Sequence, residues 1–220
     1  MTNPATAVAA GPAQPGEWIA DLAASTVSLT VRNFGLRSVT GQVPLVSASV
    51  TVGPSGQPVS VRAELDARGI DTGHPRRDRD LRGARFLATD RWPLITFQAS
   101  TFQASTVQAS TVQASTVQAS TVQASTVQAS GAGWTIAGTL TVKDRDCPVR
   151  LDVGGAEIIP NDPASSVNVC ASARLDRRSV GVNSAPAFLI GHTILLSLAI
   201  RLRPPAAVPV TRVAAQEGHR

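Results

Sequence analysis

Apolar and polar residues alternate along most of this 220-residue chain. Between Thr26 and Arg32, Val27, Leu29 and Val31 fall on one side of an extended backbone and Ser28 and Thr30 on the other. That period of two is the mark of a half-buried β-strand. The pattern resumes in 43–52 and 57–65, two segments joined by the turn signal Gly53-Pro54-Ser55-Gly56, with Val59, Val61, Ala63 and Leu65 on one face. Further on, Trp134, Ile136, Gly138, Leu140 and Val142 make a stripe, and Val149, Leu151 and Val153 continue it. Val167, Val169, Ala171, Ala173 and Leu175 make the next. In the last segment Ile194, Leu196, Leu198, Ile200 and Leu202 share a face. These stripes predict an antiparallel β-barrel.

One stretch, Ile70 to Phe97, does not alternate. Pro75 suits the first position of a helix, where its missing N–H is no loss, and Gly83 suits a left-handed position just after the end. The spacing predicts a short helix over 75–82. Arg76/Asp80 and Asp78/Arg82 stand four apart, so each pair is expected to meet on one face. Leu81 and Phe86 supply apolar contacts, Trp92-Pro93 breaks the chain, and Leu94 to Phe97 starts a strand. A charged helix is thus expected to cover one end of the β-domain.

From Thr96 to Ser130 the chain repeats T-F-Q-A-S twice and then T-V-Q-A-S five times. A period of five flips the apolar residue to the other face of a strand at every copy, and in a helix it wanders around the axis. A pentapeptide β-helix tolerates the period, but its usual Asp/Asn and Leu positions are missing. One or two copies suffice for a hairpin, so the remainder reads as an expanded insertion. Residues 1–16 and 204–220, rich in Pro and Ala or polar, read as flexible tails around a domain over 17–203.

The net charge of +5 arises from 20 Lys and Arg against 15 Asp and Glu. The arginines are scattered, interleaved with aspartates, and lack an aromatic ladder, which argues against nucleic-acid binding. Cys147 and Cys170 show no metal-ligand spacing and are expected to be free thiols. The N-terminus has no basic start and no apolar core of a secretion signal, and 188–200 is too short to span a membrane. A cytoplasmic protein is the expectation.

The stretch Ile70, Asp71, Thr72, Arg77, Asp78, Leu81, Arg82, Phe86, followed by Pro93, Ile95, Thr96 and Phe97, resembles the signature of the YceI-like family. Asp80 stands where that family usually has His, Gly83 where it has Ser, and Leu87 where it has a second Phe. Gly138 to Val142 resembles its G-x-L-T-I, and Arg177 and Gly181 fall on its N-R-S-D-F-G-V. The histidines that flank its first long strand are replaced by Ala24 and Asn33. The resemblance covers about residues 17–203 with the repeat at 96–130 inserted. It implies an all-β, eight-stranded, lipocalin-like barrel with one short helix, holding a polyisoprenoid or isoprenoid quinone as carrier or storage protein.

On that basis Val27, Leu29, Val31 and Leu65 are candidate lipid contacts, with Phe86, Leu196, Leu198 and Ile200. Arg77, Asp78 and Arg82 are candidates for the barrel mouth, read first as a brace for the helix and second as a contact for a polar head. No cofactor or metal is expected. Asp71-Thr72-Gly73 matches the aspartic-protease triplet, but that chemistry needs two carboxylates, and a turn is the better reading. With three histidines, at 74, 192 and 219, in unpromising places and no nucleophile elbow, a binding protein is expected rather than an enzyme. An enzyme acting on such a lipid and a stress-related scaffold with a vestigial cavity are the alternatives. The partners expected are the lipid and, transiently, a membrane.

Overall fold

A computed structural model describes residues 13–33, 37–105, 133–159, 162, 165–182 and 190–205. The strands are β1 (Gly16–Ala20), β2 (Thr26–Asn33), β3 (Arg37–Gln42), β4 (Leu45–Val52) and β5 (Pro58–Asp66), then β6 (Leu94–Ser105), β7 (Gly133–Val142), β8 (Arg145–Ile158), β9 (Val167–Asp176) and β10 (Ile190–Arg203). The helix α1 spans Pro75–Arg82. Neighbours pair antiparallel in the order β1-β4-β5-β6-β7-β8-β9-β10, and β1 returns to β10 to close the ring.

The closed barrel has eight positions although it is built from ten strands. β10 pairs with β2 as far as Ala199 and then with β1 through Leu202 and Arg203. β1 and β2 are therefore two segments of one position, parted by a 3-10 turn at Leu22–Ala24. Their neighbours β3 and β4 are parted in the same way at Val43-Pro44. Pro44 has no amide hydrogen to continue a ladder, and its carbonyl instead accepts from the Asp66 amide at 2.9 Å.

Of the five pairing irregularities among the described strands, three bear on the stripes read from sequence. Ser47 pairs with Glu64 but Leu45 with Leu65, so Val46 is an extra residue and is exposed; Val59 is extra between Ser60 and Pro58, and it too points outward, away from Val61, Ala63 and Leu65. The third bulge lies in the repeat. Ala99 pairs with Gly138 and Thr101 with Ala137, which leaves Ser100 unmatched. A bulge inserts one residue into one strand. Two T-F-Q-A-S copies therefore fit inside β6 with both phenylalanines inward: Phe97 is buried and Phe102 packs on the same core. Gly138 makes this possible, because a Cβ there would stand 2.6 Å from the Phe97 ring. Of the insertion expected at 96–130, residues 96–105 thus belong to β6, and 106–130 and most of both expected tails lie outside the described residues. Gly16 already belongs to β1, opposite Val52.

The helix starts at Pro75 as its sequence predicts, with His74 as N-cap accepting from the Arg77 amide at 3.4 Å. Gly83 departs from expectation. Its φ of −63° and ψ of 164° are extended, and its N–H reaches the Arg79 and Asp80 carbonyls without a left-handed turn. The left-handed glycine is Gly73 at φ +73°, ahead of the helix, where Asp71 accepts from its amide at 2.7 Å. Neither expected helical ion pair forms. Among the described residues the ion pairs are Arg178–Asp176 and Arg203–Asp21, the latter across the β1–β10 seam.

Helix α1 and the corner between β9 and β10 lie at the same end of the barrel, where β6 and β8 begin. The repeat leaves from the opposite end, where Ser105 pairs with Gly133. Two apolar clusters fill out the wall: a larger one around Phe97, Leu140 and Leu175, and a smaller one around Trp18 and Leu202.

Candidate functional site

The inward stripes of an eight-stranded barrel leave room for packed side chains or for one small ligand. Here they leave a cavity of about 440 Å³, within the usual range for ligand sites. It reaches from Leu81, Phe86 and Val180 at the helix end to Gly56, Pro58 and Trp134 at the other. Alternation explains its composition: on β10, Ile194, Leu196, Leu198 and Ile200 face in, while Leu195 is 41% exposed.

All eight residues singled out as lipid contacts line this cavity. Val27, Leu29 and Val31 come from β2, and Leu196, Leu198 and Ile200 from the adjoining β10. Leu65 sits at the end of β5, and Phe86 comes from the segment after the helix.

The three polar candidates lie elsewhere. Asp78 is buried and accepts from both the amide and the hydroxyl of Thr72. Arg77 donates to the Thr72 hydroxyl at 2.6 Å and its carbonyl at 2.7 Å, and Arg82 donates to the Ile70 carbonyl at 3.0 Å. The Thr72 hydroxyl bond lowers the Asp78 pKa most; burial opposes it, and Thr72 N–H, Arg82 and Arg77 add to the lowering. Asp78 and Arg82 border an outer cleft, shared with Arg68 and Asp90, and none of the three candidates lines the cavity.

A different arginine does. Arg177, at the start of the β9–β10 corner, is 3% exposed and is the one charged residue among the described residues lining the cavity. Its Nε donates to the Gly191 carbonyl at 3.2 Å and its Nη1 to the Val182 carbonyl at 2.7 Å. Its amide donates to the His192 carbonyl. His192 lies inside β10 beside this corner, and its Nδ1 is buried with no hydrogen-bond partner. In the sequence, Arg177 differs from its neighbour Arg178 in nothing but the resemblance of Asp176 to Val182 to a family motif. Arg178 points outward to Asp176.

Among the described residues there is no group of three or more His, Cys, Asp or Glu able to hold a metal ion, and no helix is long and apolar enough to cross a membrane. Both cysteines are free, Cys147 buried and Cys170 exposed. The cavity wall offers hydrocarbon, one guanidinium and little else, an environment suited to enclosing an apolar molecule.

A closed antiparallel barrel with an apolar interior and a helix at one end defines a lipocalin-like class. Within it, the YceI-like domain pattern matches residues 18–202, and the chain belongs to the YceI-like family. Among curated proteins no sequence relative matches. Solved structures share the fold. BcnA of Burkholderia cenocepacia is 16% identical at a TM-score of 0.61, covering 83% of this chain and 98% of that one. A polyisoprenoid binding domain from Saccharophagus degradans is 10% identical at 0.56, covering 87% and 100%. The YceI protein of Campylobacter jejuni is 14% identical at 0.54, covering 78% and 88%.

Proposed function

We propose that this barrel binds a long apolar lipid of the polyisoprenoid class, isoprenoid quinones included, and acts as its carrier or store rather than as a catalyst. The apolar cavity that runs from the helix end to the repeat end carries this reading. The description of the Saccharophagus domain as polyisoprenoid-binding supports it. Such a carrier works in the cytoplasm and meets a membrane only while loading or releasing its lipid.

Burial of hydrocarbon contributes about 0.8 kcal/mol per methylene, so affinity should climb with chain length until the cavity is full. Titration with a series of prenols of increasing length, read by native mass spectrometry, tests this. A steep rise and then a plateau is the expected result. Affinity independent of length would overturn the reading.

A further inference from the structure

We propose that the end of the barrel capped by α1 is a docking face for an anionic bilayer, set by the exposed Arg76, Arg79 and Arg91 beside Trp92 and Leu94. This deepens the carrier reading and rests on it, by naming the face across which the lipid is exchanged.

The fold sorts charges that the sequence interleaves. Between Ala67 and Trp92, at the helix end, seven arginines stand against four aspartates. Within that segment Asp78 and Arg77 are engaged with Thr72, and Arg82 with the Ile70 carbonyl. Arg76, Arg79 and Arg91 are exposed and belong to neither ion pair found among the described residues. At the repeat end the sign reverses, where Glu17, Asp21, Asp152 and Glu157 outnumber Arg201 and Arg203. Opposite signs at the two ends give the barrel a dipole along its axis, and a charged surface orients such a molecule.

An anionic bilayer attracts basic residues held close to it. Screening confines that attraction to about 8 Å at physiological salt. β10 runs the length of the barrel, and its 14 residues cover roughly 45 Å. With the helix end against the bilayer, the acidic end therefore stands outside the field that would repel it. Lasting residence on a membrane takes a second, apolar element besides charge. Here the Arg91 guanidinium lies 4.4 Å from the Trp92 ring centroid, and Leu94 is 41% exposed. An indole with a polar edge suits the head-group layer. A single-stranded nucleic acid answers the same charge but wants several open aromatic faces, and Trp92 gives one of its own to Arg91. The cavity reaches Leu81 and Phe86 in this same segment, so docking brings the ligand space to the bilayer. Exchange at that face shortens the path of an apolar chain through water, where its exposure is unfavourable.

The test sediments the full chain with vesicles of phosphatidylcholine alone and of phosphatidylcholine and phosphatidylglycerol in equal parts. Binding should favour the anionic vesicles at least roughly tenfold and weaken as salt is raised. Arg76→Gln, Arg79→Gln and Arg91→Gln together should cut binding to those vesicles at least roughly tenfold. The same variant should take a prenol from them more slowly, with its prenol affinity in solution unchanged. Arg76→Lys, Arg79→Lys and Arg91→Lys together should restore docking. A fluorophore on Leu94→Cys or on Ile19→Cys, each in a Cys170→Ser background, reports which end meets the bilayer even if the glutamine variant fails to fold. Quenching by spin-labelled lipid at position 94 supports the face, and quenching at position 19 overturns it. Equal binding to both vesicles, or tighter binding to a DNA strand or an acidic polypeptide than to the anionic vesicles, also overturns it. The carrier reading then stands so long as the prenol binds. Anionic docking without prenol binding overturns the carrier reading and leaves the face.

Discussion

The helix side and the β9–β10 corner occupy one end of the barrel and use the same device, an arginine donating to backbone carbonyls, toward different directions. Around Thr72, the Arg77 guanidinium and the Asp78 carboxylate meet on one residue, and Asp78 and Arg82 open onto the outer cleft. At the corner, Arg177 donates to the Gly191 and Val182 carbonyls and forms part of the cavity wall. A dense run of charge in the sequence thus marks a brace for the backbone, while the charge that touches the ligand space is a single residue in an unremarkable run.

The sharpest way to break this contrast is at Asp78. Removing it strands the Thr72 amide and hydroxyl next to two arginines, so Asp78→Ala should lower Tm by several degrees, whereas Arg76→Ala, on the exposed face, should barely move it. Prenol affinity of the folded Asp78→Ala protein should be unchanged, and thermal denaturation with titration checks both halves. A sharpening test uses pH. The Asp78 pKa is lowered in the fold, so its contribution is complete above the unfolded value near 3.9 and fades as pH falls through the folded one. Asp78→Asn should therefore lose less stability than the unmodified protein on acidification below about pH 4. A parallel loss in both would separate Asp78 from the acid response.

From the cavity side, Leu198→Trp should cut lipid affinity at least roughly tenfold, with overpacking costing about 1–3 kcal/mol of stability. Unchanged affinity would mean that the ligand avoids the β10 stripe. Cysteine labelling gives a smaller signal. Cys170 should react with a maleimide in the folded protein, but Cys147, whose Sγ lies 3.0 Å from the Ser179 hydroxyl beneath the corner, only when the corner opens. Bound lipid should slow the second reaction and not the first. The smallest effect is expected at the far end: deletion of Thr106–Ser125 should leave Tm and affinity unaltered, since loop length changes closure entropy by about 0.6 kcal/mol per doubling.

Much of this was legible in the chain itself. Period-two stripes located β2, β4, β5 and β7 to β10, though not the short β1 and β3, and Pro75 located the helix start, because both signals follow from local backbone chemistry. The bulges at Val46, Val59 and Ser100 were not, since an extra residue shows only against the partner strand that skips it. The absence of the ion pairs had a tertiary cause as well. Asp78 and Arg82 have the right spacing for each other, yet Thr72 and Ile70 offer part-buried hydrogen bonds that a helix read alone does not contain. The cavity-lining residues of β2, β5 and β10 could be named from parity. Arg177 could not be told from Arg178, because which of two adjacent arginines faces inward depends on how the chain leaves β9.

The unmatched Ser100 has a meaning for inheritance. Tandem copies invite the gain and loss of whole units, and each unit carries an odd number of residues. One bulge absorbs that oddness within β6, and Gly138 locks the frame by admitting Phe97 at a single place. Every copy beyond Ser105 enters after the described ladder has closed on Gly133. A lineage can therefore shorten or lengthen the repeat while it hands on the same container.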